Sequence, residues 1–207
     1  MKIAVLAANG RSGKAFVMAA VSLGHTLKAG VHNNSNFKDI KGLKVINCNA
    51  LDLSEVKNLI TGQDAVVSFI GHVRGSDPEV QTKAMAILEK AMSDCGIKRL
   101  ISLTGTGVRF AGDKITLIDR VLNLSIGVID RKRISDGKNH VKLLENSPLD
   151  WTIIRVLKLQ NIKPSPFKLS LNGPAKTIVS RGEVALAALE ILEDNSFVHQ
   201  APIISKP

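Results

Sequence analysis

Gly10, Ser12, Gly13 and Lys14 sit where an apolar run meets a helical one, in IAVLAANGRSGKAF (3–16). Glycines and a hydroxyl at such a junction suit phosphate binding. The backbone can approach an anion closely there, and a helix start presents unpaired N–H groups. Two devices compete for these residues. A P-loop, G-x-x-x-x-G-K-[ST], finds Gly13 and Lys14 but meets Ala8 at its first glycine and Ala15 where a hydroxyl would hold magnesium. A dinucleotide-binding turn needs glycines for a tight bend, close approach to a pyrophosphate, and close packing of helix on strand. The second fits better: a strand ends near Leu6, residues 7–12 form the loop, and Gly13 opens the helix.

The elements that must hold this turn alternate along the chain. Strands are expected at 2–7, 26–31, 43–48, 64–71, 99–105, 150–156 and 201–205, as short apolar runs with no polar face. Helices are expected at 13–23, with Gly24 as its terminating glycine, and at 52–60, capped by Ser54. Two more are expected at 77–96, with Pro78 in the first turn, and at 181–194. Strands apolar on both sides and separated by helices imply an α/β fold: a doubly wound parallel sheet with helices on both faces. The 207 residues suit one domain, 1–207. Residues 106–148, read as a basic and mostly helical insertion, and the proline-containing 157–180 both leave carboxyl ends of strands. They are expected to wall a substrate site.

Composition narrows the classes. The net charge of +10 attracts phosphate in nucleic acid, a membrane surface or a phosphorylated cofactor. Aromatics are only 3%, too few for a base-stacking platform, so no specific nucleic-acid partner is expected. The basic run DRKRISDGK (130–138) is interrupted by aspartates and reads as a solvated helix face. No apolar run approaches the roughly 20 residues that span a bilayer, so no membrane partner is expected and a cytoplasmic location is. Cys48 and Cys95 are too few for a disulfide framework and read as buried small residues. No cluster of His, Asp or Glu has metal spacing, and metal ligands are expected to be none.

AANGRSG (7–13) resembles the G-A-T-G-x-[ST]-G loop of atypical short-chain dehydrogenase/reductases. The similarity is to the NAD(P)-binding group that holds NmrA-like proteins and flavin reductases of the biliverdin reductase B type. GQDAVVSFIG (62–71), RLISLTGTG (99–107), SPLDWTIIR (147–155) and TIVSRGEVA (177–185) extend it over nearly the whole chain. The resemblance implies a Rossmann-like fold and a cofactor held by Ala7, Asn9, Gly10, Arg11, Ser12 and Gly13. It also implies contacts from Asn49 and Ala50 to the adenine, from Phe69, Ile70 and Gly71 after the fourth strand, and from Thr104 and Gly105 near the nicotinamide. Ala7 departs from the pattern. A methyl at that first glycine is expected to require a negative φ.

No acid stands between Val31 and Lys38, where one would bind the ribose hydroxyls of NAD. His32 occupies the position where relatives use arginine, and Asn33, Asn34, Ser35 and Lys38 are further donors, so NADP(H) is favoured over NAD(H). The chain has no tyrosine, which excludes the Tyr-x-x-x-Lys acid of most short-chain dehydrogenases. Hydride can still pass directly to an acceptor held against the nicotinamide. Gly105 stands where flavin reductases of this group often carry serine, leaving Thr104 or Thr106 as hydroxyl donors. Lys158 follows the sixth strand, where biliverdin reductase-like relatives place a histidine, and is a candidate partner for an acidic substrate. His72 at the cleft rim reads as a polar loop residue, and His140 carries no expected role. The expected function is an NAD(P)H-dependent oxidoreductase acting on a flavin-, quinone- or carbonyl-type small molecule. The alternative is a non-catalytic NAD(P)-binding regulator of the NmrA-like kind, which would work through a protein partner.

Overall fold

The computed structural model describes residues 1–33, 35, 37–73, 75–129, 131–175 and 178–207, without the side chains of 126–129. Strand β1 (Lys2–Leu6) leads through a short turn into helix α1 (Arg11–Ser22), and the chain returns as β2 (Thr26–Val31). After β3 (Leu43–Asn47) and α2 (Leu53–Ile60) it crosses back to β4 (Ala65–Ser68), then α3 (Val80–Cys95) and β5 (Arg99–Gly105). Helices α4 (Leu117–Ile129) and α5 (Arg131–Glu145) precede β6 (Asp150–Val156). Short strands β7 (Leu159–Gln160), β8 (Lys168–Ser170) and β9 (Val179–Ser180) lead to α6 (Arg181–Glu193) and β10 (Ile203–Ser205).

The main sheet runs β3-β2-β1-β4-β5-β6-β10-β8, parallel except for β8 at its edge, and β7 pairs with β9 separately. Alternation inside β1 explains the layers. Ile3 and Val5 face a core shared with α1 and α6, whereas Ala4 and Leu6 face one shared with α2, α3 and α5. Both faces are buried, so the strand reads as one apolar run. The order reverses between β1 and β4, which opens a crevice above their carboxyl ends.

Helix ends depart from the sequence reading in instructive ways. Asp52, not Ser54, caps α2, accepting the amides of Ser54 and Glu55 on Oδ1 at 2.8 and 3.0 Å. Pro78 lies before α3 rather than inside it. Residues 106–148 are not wholly an insertion, because α5 packs beside α3 as the ordinary crossover between β5 and β6. Gly24 does end α1 with φ of 84°.

Arg155 on β6 is the largest fully buried side chain among the described residues. It donates to Asp113 through both terminal nitrogens, at 2.6 and 2.9 Å, and to the carbonyls of Ala201 and Leu171 at 2.7 Å each. The guanidinium also lies 4.6 Å from the Phe110 ring centre. This cluster ties the segment after β5 to the far side of the sheet.

Candidate nucleotide-binding cleft

The turn after β1 is built by its backbone. Ala8 donates to the Gly30 carbonyl and Gly10 donates to the Ala7 carbonyl, both at 3.0 Å. Gly10 stands at the N-cap of α1, among the described residues no side chain is recorded on the opening amides of the helix, and the first turn carries no acid. The opening amides of α1 therefore keep their donors and positive partial charge for a ligand. Gly13 lies so close to β1 that a Cβ would sit 2.4 Å from the Ala7 carbonyl oxygen. Ala7 corrects the sequence reading: its φ is +54°, in the left-handed region rather than at a negative value. The reversal that aims the loop at the crevice demands it, and the methyl carries strain. Ala7→Gly should therefore raise the urea unfolding free energy by about 1 kcal/mol, the usual left-handed penalty less glycine's extra unfolded-state entropy. Equal or lower stability would show that the turn is relaxed.

A cleft of about 350 Å³ opens from this loop over the ends of β4, β5 and β6. Gly10, Arg11, Ser12 and Gly13 form one end of it, Phe69, Ile70 and Gly71 its side, and Thr104 and Gly105 its floor. Phe69 is braced by Phe16, with ring centres 5.5 Å apart. His32, Asn33, Asn49 and Ala50 stand off the cleft on the β2 and β3 side. His32 is exposed, and the Asn33 amide donates to Asn47 Oδ1 at 3.1 Å. The Asn49 amide donates to Glu55 at 2.7 Å, and its side-chain oxygen accepts from Leu51. Asn34 lies outside the described residues.

Two hydroxyl and cation candidates are placed elsewhere. Thr106 does not line the cleft. Its hydroxyl donates to buried Asp119 at 2.6 Å and accepts from Asn123 at 3.1 Å, while Arg109 pairs with the same carboxylate. Lys158 is exposed outside the cleft lining, held there because its carbonyl accepts the Val179 amide as β7 turns toward β9. Residues 106–148 contribute Gly107, Val108 and Asn123 to the cleft lining, together with Arg133, Ile134 and Gly137 from α5. Residues 157–180 contribute Leu159 alone among the described residues.

The sequence reading missed a buried polar group beneath this wall. Asp136, inside the supposedly solvated run, is 1% exposed and caps α3 from another helix. It accepts from the Gln81 and Thr82 amides at 2.9 and 3.0 Å and from the Thr82 hydroxyl at 2.5 Å. His72, which lines the cleft, places Nε2 2.9 Å from Asp136 Oδ2. One turn along α5, His140 Nε2 lies 2.9 Å from the Ser102 hydroxyl. The interrupting aspartate in a basic helix, four residues before a histidine, was the available signal.

Burial pushes the His140 imidazole down to about 4, against the opposing charge of Asp136. That folded value lies below the ordinary 6.5, so the unfolded chain takes up the proton first. Stability from this group is complete above the ordinary value and is lost as pH falls toward 4, by up to roughly 3 kcal/mol. Urea midpoints taken between about pH 7 and pH 4.5 should fall, and His140→Gln should flatten that slope. An unchanged slope in the variant would remove His140 as its source.

Arg11 and Arg181 stand at the first positions of α1 and α6, and both line the cleft. Burial and then the charge of Arg11 lower the proton affinity of Arg181, whose guanidinium donates to Asn161 at 2.7 Å. Two cations at two helix starts repel each other and the helix dipoles. An anion between them would reverse both effects. The uncapped amides, the glycine-tight turn and these guanidiniums together fit a diphosphate. Cys48, by contrast, is buried, and its thiol is pushed up to about 11 by burial and by Glu55 and Asp52, so it is inert. Among the described residues no three metal-ligating side chains gather, and no helix is long and apolar enough to cross a membrane.

A family model described as NAD(P)H-binding matches residues 7–195. No curated protein matches the chain in sequence. Among solved structures, a short-chain dehydrogenase/reductase from Veillonella parvula in complex with NADP superposes with a TM-score of 0.84 at 18% identity, covering 100% of this chain and 94% of that one. A Streptococcus pneumoniae protein named for NADH-flavin reduction gives 0.82 at 20% identity, covering both chains completely at 100%. ChuY, an anaerobillin reductase from Escherichia coli O157:H7, gives 0.83 at 17% identity, covering 100% and 98%. These likenesses establish a shared fold.

Proposed function

The chain belongs to the NAD(P)H-binding family, and from that premise we propose that it is an NAD(P)H-dependent reductase of a planar, conjugated small molecule. One observation carries the reading. The uncapped start of α1 opens directly into a cleft whose inner wall is Leu103, Val108, Ile134, Val156 and Leu159. The amide-lined end suits a diphosphate, and the apolar end suits an acceptor lying against a nicotinamide.

The α1 amides and Arg11 bind the diphosphate, with Ser12 as a further donor, while Arg181 attracts it from the opposite helix. Asn9 and Gly10 shape the loop. Thr104 and Gly105 at the end of β5 place the nicotinamide, and Phe69, Ile70 and Gly71 border its ribose. Asn49 and Ala50 border the adenine. His32 and Asn33, with no acid beside them before Asp39, favour NADP(H) over NAD(H), because a carboxylate there would repel a 2′-phosphate. When bound, the nicotinamide supplies a hydride. The aliphatic wall excludes water and orients the acceptor, so that positioning carries much of the rate. The relatives named for flavin and anaerobillin reduction support an acceptor of that planar kind.

Calorimetry with NADPH and NADH, followed by NADPH oxidation against flavin, quinone and carbonyl acceptors, tests the reading. Binding that favours NADPH, together with turnover, is expected. Tight binding without turnover would instead make the chain a nucleotide-responsive regulator. Silence toward both nucleotides would end both readings.

A further inference from the structure

A reductase without tyrosine leaves open where a proton comes from. Among the described residues lining the cleft, His72 is the imidazole, and it is not a free loop residue. Its side chain is 8% exposed and its Nε2 stands 2.9 Å from a carboxylate that is itself fully enclosed, an ion-pair contact in which the ring nitrogen is not aligned for a hydrogen bond. Asp136 is fixed in turn by the Gln81 amide and by the amide and hydroxyl of Thr82, all donors aimed at its two oxygens. An imidazole with one nitrogen against a rigid, enclosed carboxylate is restrained there by charge, and a small ring rotation as the acceptor enters would align that nitrogen with the carboxylate and leave the other for exchange. Gln81 adds to the frame, donating its side-chain amide to the Ile70 carbonyl at 2.9 Å, two residues before His72.

We propose that His72 is the proton donor of this cleft, positioned by Asp136, and that it equips the protein to reduce carbonyl-type acceptors. The inference rests on the reductase reading above. The acceptor's carbonyl carbon receives a hydrogen with two electrons from the nicotinamide, the C=O π pair moves to oxygen, and His72 Nδ1 gives that oxygen its proton. The neutral imidazole left behind recovers a proton from solvent at the rim, where Asp77 stands within electrostatic range. Such an acid matters where the product anion would be strongly basic, as an alkoxide is. A flavin needs it far less, because the charge arriving with hydride spreads over N1 and the neighbouring carbonyl.

The test compares wild type, His72→Gln and Asp136→Asn on a ketone or quinone and on a flavin, beside 15N NMR of the imidazole. His72→Gln should lower kcat with the carbonyl acceptor by about 100-fold, the usual contribution of a positioned acid. The fall with flavin should be at least ten times smaller. In protein poised to donate, the His72 signals should report protons on both ring nitrogens, Nε2 beside Asp136 and Nδ1 toward the cleft, and Asp136→Asn should change that pattern while His140 keeps its own. Equal losses with both acceptors would make His72 a wall residue and overturn the proposal, as would no loss, or a His72 spectrum indifferent to Asp136. Wild type that binds NADPH yet reduces nothing fails the reductase reading itself and takes this one with it. Wild type that reduces flavin alone leaves the reductase reading standing and overturns His72 as an acid.

Discussion

Gly13→Ala should lower NADPH affinity by at least about tenfold, or 1.4 kcal/mol. It should also destabilise the fold by roughly 1–3 kcal/mol, the usual cost of overpacking. The added methyl would lie 2.4 Å from the Ala7 carbonyl oxygen, 2.7 Å from Ala8 Cα and 2.8 Å from the Ala8 carbonyl oxygen. All three are backbone atoms, so no side chain can swing aside. Ala7 is already left-handed and Ala8 is pinned to Gly30, which leaves outward movement of α1 as the only relief. That movement drags the opening amides away from the diphosphate. Gly10→Ala is the contrasting case, since its methyl would meet the Ala7 oxygen at 3.2 Å, a contact the loop can absorb by a small shift. Calorimetry on the two variants should rank Gly13→Ala well below Gly10→Ala. Equal, wild-type affinity in both would place the diphosphate away from this turn.

Arg155→Met should cost about 3–5 kcal/mol in urea unfolding, because it leaves Asp113 buried without its cation. The Asp113 side chain is 3% exposed, and removal of Arg155 also strips donors from the Ala201 and Leu171 carbonyls. Burial alone would push the Asp113 carboxyl up, but the Arg155 bonds, the Phe110 amide and the charges of Arg155 and Arg109 hold it below the ordinary carboxylate value. This group therefore stabilises the fold above that ordinary value and loses its contribution as pH falls through the lower, folded one. In Arg155→Met the balance inverts, and the destabilisation should shrink in acid as Asp113 takes a proton. Replacing Asp113 by leucine in the same chain should recover part of the loss. A double variant no more stable than Arg155→Met would mean that the cost lies in the lost carbonyl bonds rather than in the stranded charge.

The strands that hold the site were legible because their signal is local. The runs 99–105 and 150–156 place apolar residues on both faces, and β5 and β6 coincide with them. The turn between β1 and α1 was legible for the same reason, since close approach of helix to strand admits only glycine at position 13. The conformation of Ala7 was not. Side-chain type sets a cost for left-handed backbone, but the neighbouring elements decide whether that cost is borne. The helix starts were less legible: Ser54 was expected to cap the helix that Asp52 caps, and α3 takes its cap from Asp136, 55 residues from Gln81.

By itself, then, the sequence determined the layered α/β architecture, the place of the glycine turn between β1 and α1 and the absence of a tyrosine acid, because each depends on residue type and short spacing. Only the tertiary structure decided that Thr106 serves Asp119, that Lys158 stands outside the cleft, and that His72, Asp136, His140 and Ser102 meet beneath its wall. Those pairings join residues brought from β4, β5, α4 and α5 by the crossovers. A hydrogen bond acts over about 3 Å of space whatever the length of chain between its ends.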